Sequence, residues 1–170
     1  MKILRTPNYR YKLLEMDLKK PIIDIVTRWN TTHDMLKSFL ELRPFWGNHF
    51  KDIPQIFLEK VETVVAVLQP AKDATIKLQQ EQLTLGDFVK TWMEMKLKVE
   101  NMRNSWSQCL LDCIKQREKS LLENEVVLAA IYLDPRICKL FPLEKTQQTK
   151  RFLKNVASHM IEVSTCLIFY

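Results

Sequence analysis

Only two glycines occur in 170 residues. That scarcity argues against a β-sandwich, against a glycine-rich loop cradling phosphate and against a flexible linker, because each draws on backbone conformations that glycine reaches most cheaply. Long apolar runs are missing as well. No stretch of about eighteen apolar residues is found, so no membrane-spanning helix is expected, and no apolar stretch follows the basic N-terminal residues as it would in a secretory leader. Histidine is sparse, with His33, His49 and His159 standing apart, and among Cys109, Cys113, Cys138 and Cys166 only the first two are close. A structural zinc site needs two ligand pairs at short spacing, so no metal site is expected. Cys109 and Cys113, four residues apart in a helical pattern, are expected on one face as small apolar core residues in a reduced, intracellular setting. Ser105, Ser107 and Ser120 have no neighbouring histidine, and no Cys–His pairing suggests a nucleophile.

What is present is the composition of one globular, helical domain: 46% hydrophobic, 27% charged, net charge +6 and a pI near 9.1. Residues 1–50 carry nine basic and five acidic groups and residues 101–170 ten and seven, whereas the middle is close to neutral. An excess at both ends is compatible with a nucleic-acid surface and equally with an ordinary solvated one.

The chain is organised around residues 22–42. Ile22, Ile23, Ile25 and Val26, behind Pro21, read as a short buried strand. Thr31 and Asp34 then have capping-box spacing for a helix whose inner face carries Met35, Leu36, Phe39 and Leu40. Arg28 and Trp29 fall at the strand-to-helix corner, where a guanidinium beside an indole suits a phosphate and a stacked base. Asp24 is expected to end the strand or cap the helix.

Further on, Arg43-Pro44 and Gly47-Asn48 are expected to break the first helix. Asp52 and Pro54 should start the next, with Ile56, Val61, Val64, Val65 and Leu68 inward and a kink at Pro70. Thr84 and Asp87 offer a capping box for a long helix with Phe88, Trp92, Met95, Val99 and Met102 on one stripe. After an interruption at Asn104-Ser105, Trp106, Leu110, Cys113 and Ile114 continue a face. Asn124 can cap a helix over Val126 to Leu133, which Asp134-Pro135 should end. The last helix is expected from Thr146 to Ile161, with Phe152, Leu153, Val156, Ala157 and Met160 inward.

Two segments carry a resemblance. Residues Thr27-Arg28-Trp29-Asn30-Thr31-Thr32-His33-Asp34-Met35-Leu36 resemble the TRWNSTYxML signature of hAT-family DNA transposases, with Thr31 and His33 in place of the usual Ser and Tyr. About a hundred residues later, Leu128-Ala129-Ala130-Ile131-Tyr132-Leu133-Asp134-Pro135-Arg136 is similar to the family's LAxxLDPRxK, with Cys138 and Lys139 following. The resemblance covers about residues 20 to 155. It implies a mainly α chain: the helical insertion domain of an RNase H-like fold, with one short strand near the N-terminus. The division would be a basic leading segment at 1–20, the strand and Arg-Trp corner of a truncated RNase H-like domain at 21–33, the insertion domain at 34–162 and an apolar tail at 163–170.

The same resemblance implies that strand transfer needs an acidic triad holding divalent metal, magnesium in the family. Those acids are expected outside this chain, as are the family's BED-type zinc finger and its dimerisation segment. No cofactor is therefore expected here, and the enzyme reading leans to inactive. Carried over, the family's hairpin-stabilising roles fall on Arg28 and Trp29, while Asp24, Asn30, Asp134, Pro135 and Arg136 are motif residues expected to be structural. The implied product is transposon-derived, nuclear, a weak DNA binder able to associate with itself or with transposase-like proteins, and not membrane-bound. A helical interaction module, a remnant without function and an incomplete gene model of an active transposase are the alternatives.

Overall fold

The computed structural model describes residues 1–25, 29–49 and 53–168, except for the side chains of Trp29, Asn48 and residues 163–168. Among the described residues every regular element is a helix. Eight α-helices run in order: α1 Pro7–Glu15, α2 Trp29–Glu41, α3 Arg43–His49, α4 Gln55–Leu78, α5 Leu85–Glu100, α6 Ser105–Leu121, α7 Glu125–Leu133 and α8 Thr146–Ile168, with 3-10 turns at Ile3–Arg5, Cys138–Leu140 and Leu143–Lys145. One domain was expected from length; the chain divides into two compact units, residues 1–76 with 102–107, and residues 77–101 with 108–170.

The first unit is built on aromatic packing. Leu4, Leu13, Leu42, Phe45 and Trp46 are buried together, with Tyr9, Phe39 and Ile53 against them. The leading twenty residues thus contribute to a core through α1. Trp46 Nε1 donates to Phe39 O at 2.9 Å, so the indole enters the core with its polar atom satisfied.

The expected strand does not form over its described residues. Residues 21–25 are irregular, and their backbone donors go to side chains instead of a ladder: Ile22 N–H to Ser38 Oγ at 3.2 Å and Ile25 N–H to Thr31 Oγ1 at 2.8 Å. Ile22 and Ile25 are about half exposed, so the apolar run does not act as a buried strand. Val26 lies outside the described residues.

The break after α2 falls at Leu42, and Pro44 sits in the first turn of α3, where its missing N–H costs nothing. Gly47 is inside that helix instead of ending it. Pro70 lies within α4, which is assigned as one helix. The inner residues of α4 are Leu58, Val61, Val67, Pro70 and Ala74, while Ile56 is exposed, so the buried face is rotated from the expected one.

With glycine so scarce, chain reversals use other residues. Asp17, Gln82 and Arg103 adopt φ of 52°, 66° and 49°. At Asp17 the turn is a Schellman closure, with Leu18 N–H to Leu13 O at 2.9 Å and Asp17 N–H to Leu14 O at 3.0 Å.

In the second unit, α5 packs on α7 and α7 on α8. Val89, Val127, Leu128, Ile131, Ile137 and Phe141 form its core, with Phe88, Met93 and Tyr132 alongside. The Thr84–Asp87 capping box forms as expected, and Asn124 Oδ1 accepts from Val126 and Val127 N–H to start α7. Met95 and Val99 are buried as expected on α5, joined by Val89 and Thr91, while Phe88 and Trp92 are only half-buried.

On α6 two stripes competed. Leu111 and Ile114 turn inward and Glu118 meets Lys96 Nζ of α5 at 2.6 Å, which leaves Cys109 and Cys113 on the exposed face. The core reading of those thiols is therefore overturned, and Cys138 is exposed as well. On α8 the helix continues to Ile168, and beyond Leu153 the expected inward residues Val156, Ala157 and Met160 are exposed. Among the described side chains of α8 the one buried residue is Thr149, in its first turn.

Candidate nucleic-acid interface

Helix α2 begins at Trp29, three residues earlier than its capping-box pattern suggested. Arg28 lies outside the described residues, and so does the Trp29 side chain. The immediate surroundings of this corner are defined. Asp24 Oδ1 is 2.8 Å from Thr31 Oγ1 and accepts from Thr32 Oγ1 at 2.9 Å, which ties the incoming chain to the first turn of α2. Asp24 is thus a hydrogen-bonding group at a helix start, acting through the hydroxyls of residues 31 and 32. Because Thr31 is the third residue of the helix, it turns back to Ile25 and Asp24 and forms no box with Asp34.

Asp34 instead pairs with Lys72 of α4 and lies 3.4 Å from His33 Nδ1. Burial opposes ionisation of this carboxyl, but the hydrogen bonds from Lys72 and His33 outweigh it and hold the group below its ordinary range. His33 is fully buried, and its Nε2, like Asn30 Oδ1 one turn earlier, has no hydrogen-bond partner among the described residues.

The second motif forms a clasp. Asp134 caps the C-terminus of α7, and Pro135 cannot continue the helix. Asp134 Oδ1 then accepts the Arg136 N–H at 2.9 Å, which turns the chain so that the Arg136 guanidinium folds back on the same carboxylate. Nη2 donates to Asp134 Oδ2 at 2.7 Å and Nε to Oδ1 at 3.0 Å, the bidentate geometry that suits a planar guanidinium. Nη1 reaches Asp87 Oδ1 at 2.8 Å, while Asp87 Oδ2 accepts from Thr84 at the start of α5. One cation thereby fastens the end of α7 to the beginning of α5.

Electrostatics follow the geometry. Hydrogen bonds from Thr84 and then Arg136 hold Asp87 below its ordinary range; Asp134 is lowered by Arg136 itself, and both carboxylates raise the guanidinium further.

Gly86 completes the clasp. A Cβ there would stand 2.1 Å from Asp134 Oδ2, so the carboxylate approaches α5 only because position 86 has no side chain. A cation at Asp134 would have to displace a guanidinium that already occupies both oxygens. Among the described residues no group of three His, Cys, Asp or Glu side chains is arranged to hold a metal ion.

The sequence reading expected Asp134, Pro135 and Arg136 to be structural motif residues; the structure brings Asp134 and Arg136 together and adds Asp87. The sequence reading missed Gly86 and Lys72. The scarcity of glycine was the available signal for the first; nothing in the spacing linked Lys72 to Asp34. Exposed positive charge is carried by Lys19 and Lys20, which precede the corner, and by Lys150, Arg151 and Lys154 on α8, none of them in an ion pair among the described residues. No protein-family model, curated protein or solved structure matches this chain.

Proposed function

We propose that this chain derives from the central, helical part of a hAT-type transposase, without strand-transfer activity of its own, and that it binds nucleic acid through the Arg28–Trp29 corner in the nucleus. One observation supports this reading above others: α2 starts at Trp29, so that residue stands at a helix N-terminus, where backbone N–H groups favour phosphate. Lys19 and Lys20 are exposed in the segment leading to it, and Arg5 Nε holds Pro21 O at 3.2 Å on the same path. The Asp134–Arg136 clasp supports the origin in a different way. It gives the second motif a structural task within a helical domain and leaves the first motif for ligand contact.

A second reading, a helical module that associates with itself or with transposase-like proteins, is favoured by apolar side chains left exposed in the second unit, among them Leu133, Leu143 and Val156. Salt separates the two readings. Binding of the purified chain to a fluorescent DNA hairpin with unpaired flanking bases should fall steeply as salt rises, because phosphate contacts release counterions. Trp29→Ala should weaken it while the protein stays folded; stacking of a base on an aromatic is worth ~1–3 kcal/mol. Absence of binding at low salt, or affinity indifferent to salt and to Trp29, would leave the interaction module as the account.

A further inference from the structure

We propose that Cys109 and Cys113 form a two-thiolate site for a soft monovalent cation of the copper(I) class on the outer face of α6. Both thiols are exposed, and they stand at the fifth and ninth positions of a seventeen-residue helix, away from either frayed end. The interval is four residues, one helical turn. Side chains at that interval do reach each other on this stretch: Gln108 Nε2 donates to Asp112 Oδ1 at 2.8 Å, one position earlier.

Helical geometry then selects the chemistry. Residues four apart have Cβ atoms about 5–6 Å apart, whereas a disulfide needs about 3.5–4.5 Å. The pair cannot close on itself without unwinding α6. Each Sγ extends one bond beyond its Cβ, so two sulfurs turned toward each other leave a gap that one bridging ion fills.

Ligand count narrows the ion. Zinc takes four ligands in a structural site, and among the described residues no third His, Cys, Asp or Glu completes a group here. Asp112, the one carboxylate within this turn, is engaged by Gln108. Two soft thiolates with no further ligand match copper(I), which is satisfied by two collinear sulfurs and is selected by soft ligands over harder divalent ions. Binding replaces two thiol protons with one Cu⁺, forming two Cu–S bonds, releasing two H⁺ and changing no oxidation state.

Cys138 provides an internal contrast. It is exposed too, but it stands alone, with Sγ 3.6 Å from Pro135 O.

The test is an anaerobic titration of the reduced full-length chain with copper(I) held as its coloured bicinchoninate complex. The chain should withdraw one copper per molecule and bleach the complex in proportion. Cys109→Ser or Cys113→Ser should each abolish withdrawal with unchanged circular dichroism, and Cys138→Ser should leave it intact. The proposal is overturned if the complex keeps its colour, if Cys138→Ser removes as much binding as either partner, or if the stoichiometry is one copper per two chains in a dimer seen by sedimentation.

Discussion

The two motif-bearing regions fix a change of chain direction by opposite means. At the corner before α2 the ties are local, with Asp24, Ile25, Thr31 and Thr32 all within eight residues. After α7 the decisive tie is long in sequence, since Arg136 reaches back 49 residues to Asp87. Local ties shape a turn, whereas the clasp spends its motif residues on joining two helices. The two glycines repeat the contrast. A Cβ on Gly47 in α3 would meet nothing within 4 Å, while one on Gly86 would meet the clasp.

The largest effect is expected from Gly86→Val. Forcing a side chain between α5 and Asp134 should cost about 1–3 kcal/mol, toward the upper end for a branched residue, read as a lowered denaturant midpoint. Equal stability in this variant would mean that the carboxylate moves aside freely and that the clasp is loose.

Arg136→Gln should also lower the melting temperature at neutral pH, and its effect should depend on acid. Asp87 and Asp134 are both held below the ordinary aspartate value of 3.8 in the folded chain. Their contribution is therefore present above that value and is lost as pH falls through the lowered folded values. Wild type and Arg136→Gln should differ at pH 7 and converge as the pH drops below about 4. A gap that persists unchanged in acid would show that the guanidinium acts through packing alone.

Substitutions that relieve left-handed backbone should raise stability in either unit. Gln82→Gly and Arg103→Gly each remove a conformation that costs a side-chain-bearing residue roughly 1–2 kcal/mol, less the entropy that glycine loses on folding. A net gain of about 0.5 kcal/mol by thermal melting is expected from these opposing terms. The smallest effect is that of Gly47→Ala, a stabilisation below about 0.5 kcal/mol, because only helix propensity changes and the residue lies in the last turn of α3.

Much of this architecture was legible where a local rule decides it. The Thr84–Asp87 box, the Asn124 cap and the stop at Asp134-Pro135 each depend on residues within a few positions, and all three formed. Buried faces were harder to read. On α6 two stripes overlap: Ile114 is buried as expected, but Leu111 takes the inward place expected for Cys113, on the side where Glu118 meets Lys96 of α5. The α8 face failed for the same reason, since an amphipathic pattern says which side is apolar and not whether anything covers it. The Ile22–Val26 run looked like a strand because β-branched residues favour one, but Ser38 and Thr31 took the backbone donors that a sheet would have used. At the candidate site, the place of Asp134 at a helix end was readable from the sequence. The reach of Arg136 to Asp87, 49 residues away, and the space that Gly86 leaves for it were not.

The most direct test of this division of labour measures hairpin-DNA affinity and melting temperature together on Trp29→Ala and Arg136→Gln. The account predicts that Trp29→Ala loses affinity and keeps its melting temperature, while Arg136→Gln melts earlier and binds normally below its transition. The reverse pattern, a destabilised Trp29→Ala with intact binding and a stable Arg136→Gln that no longer binds, would contradict it.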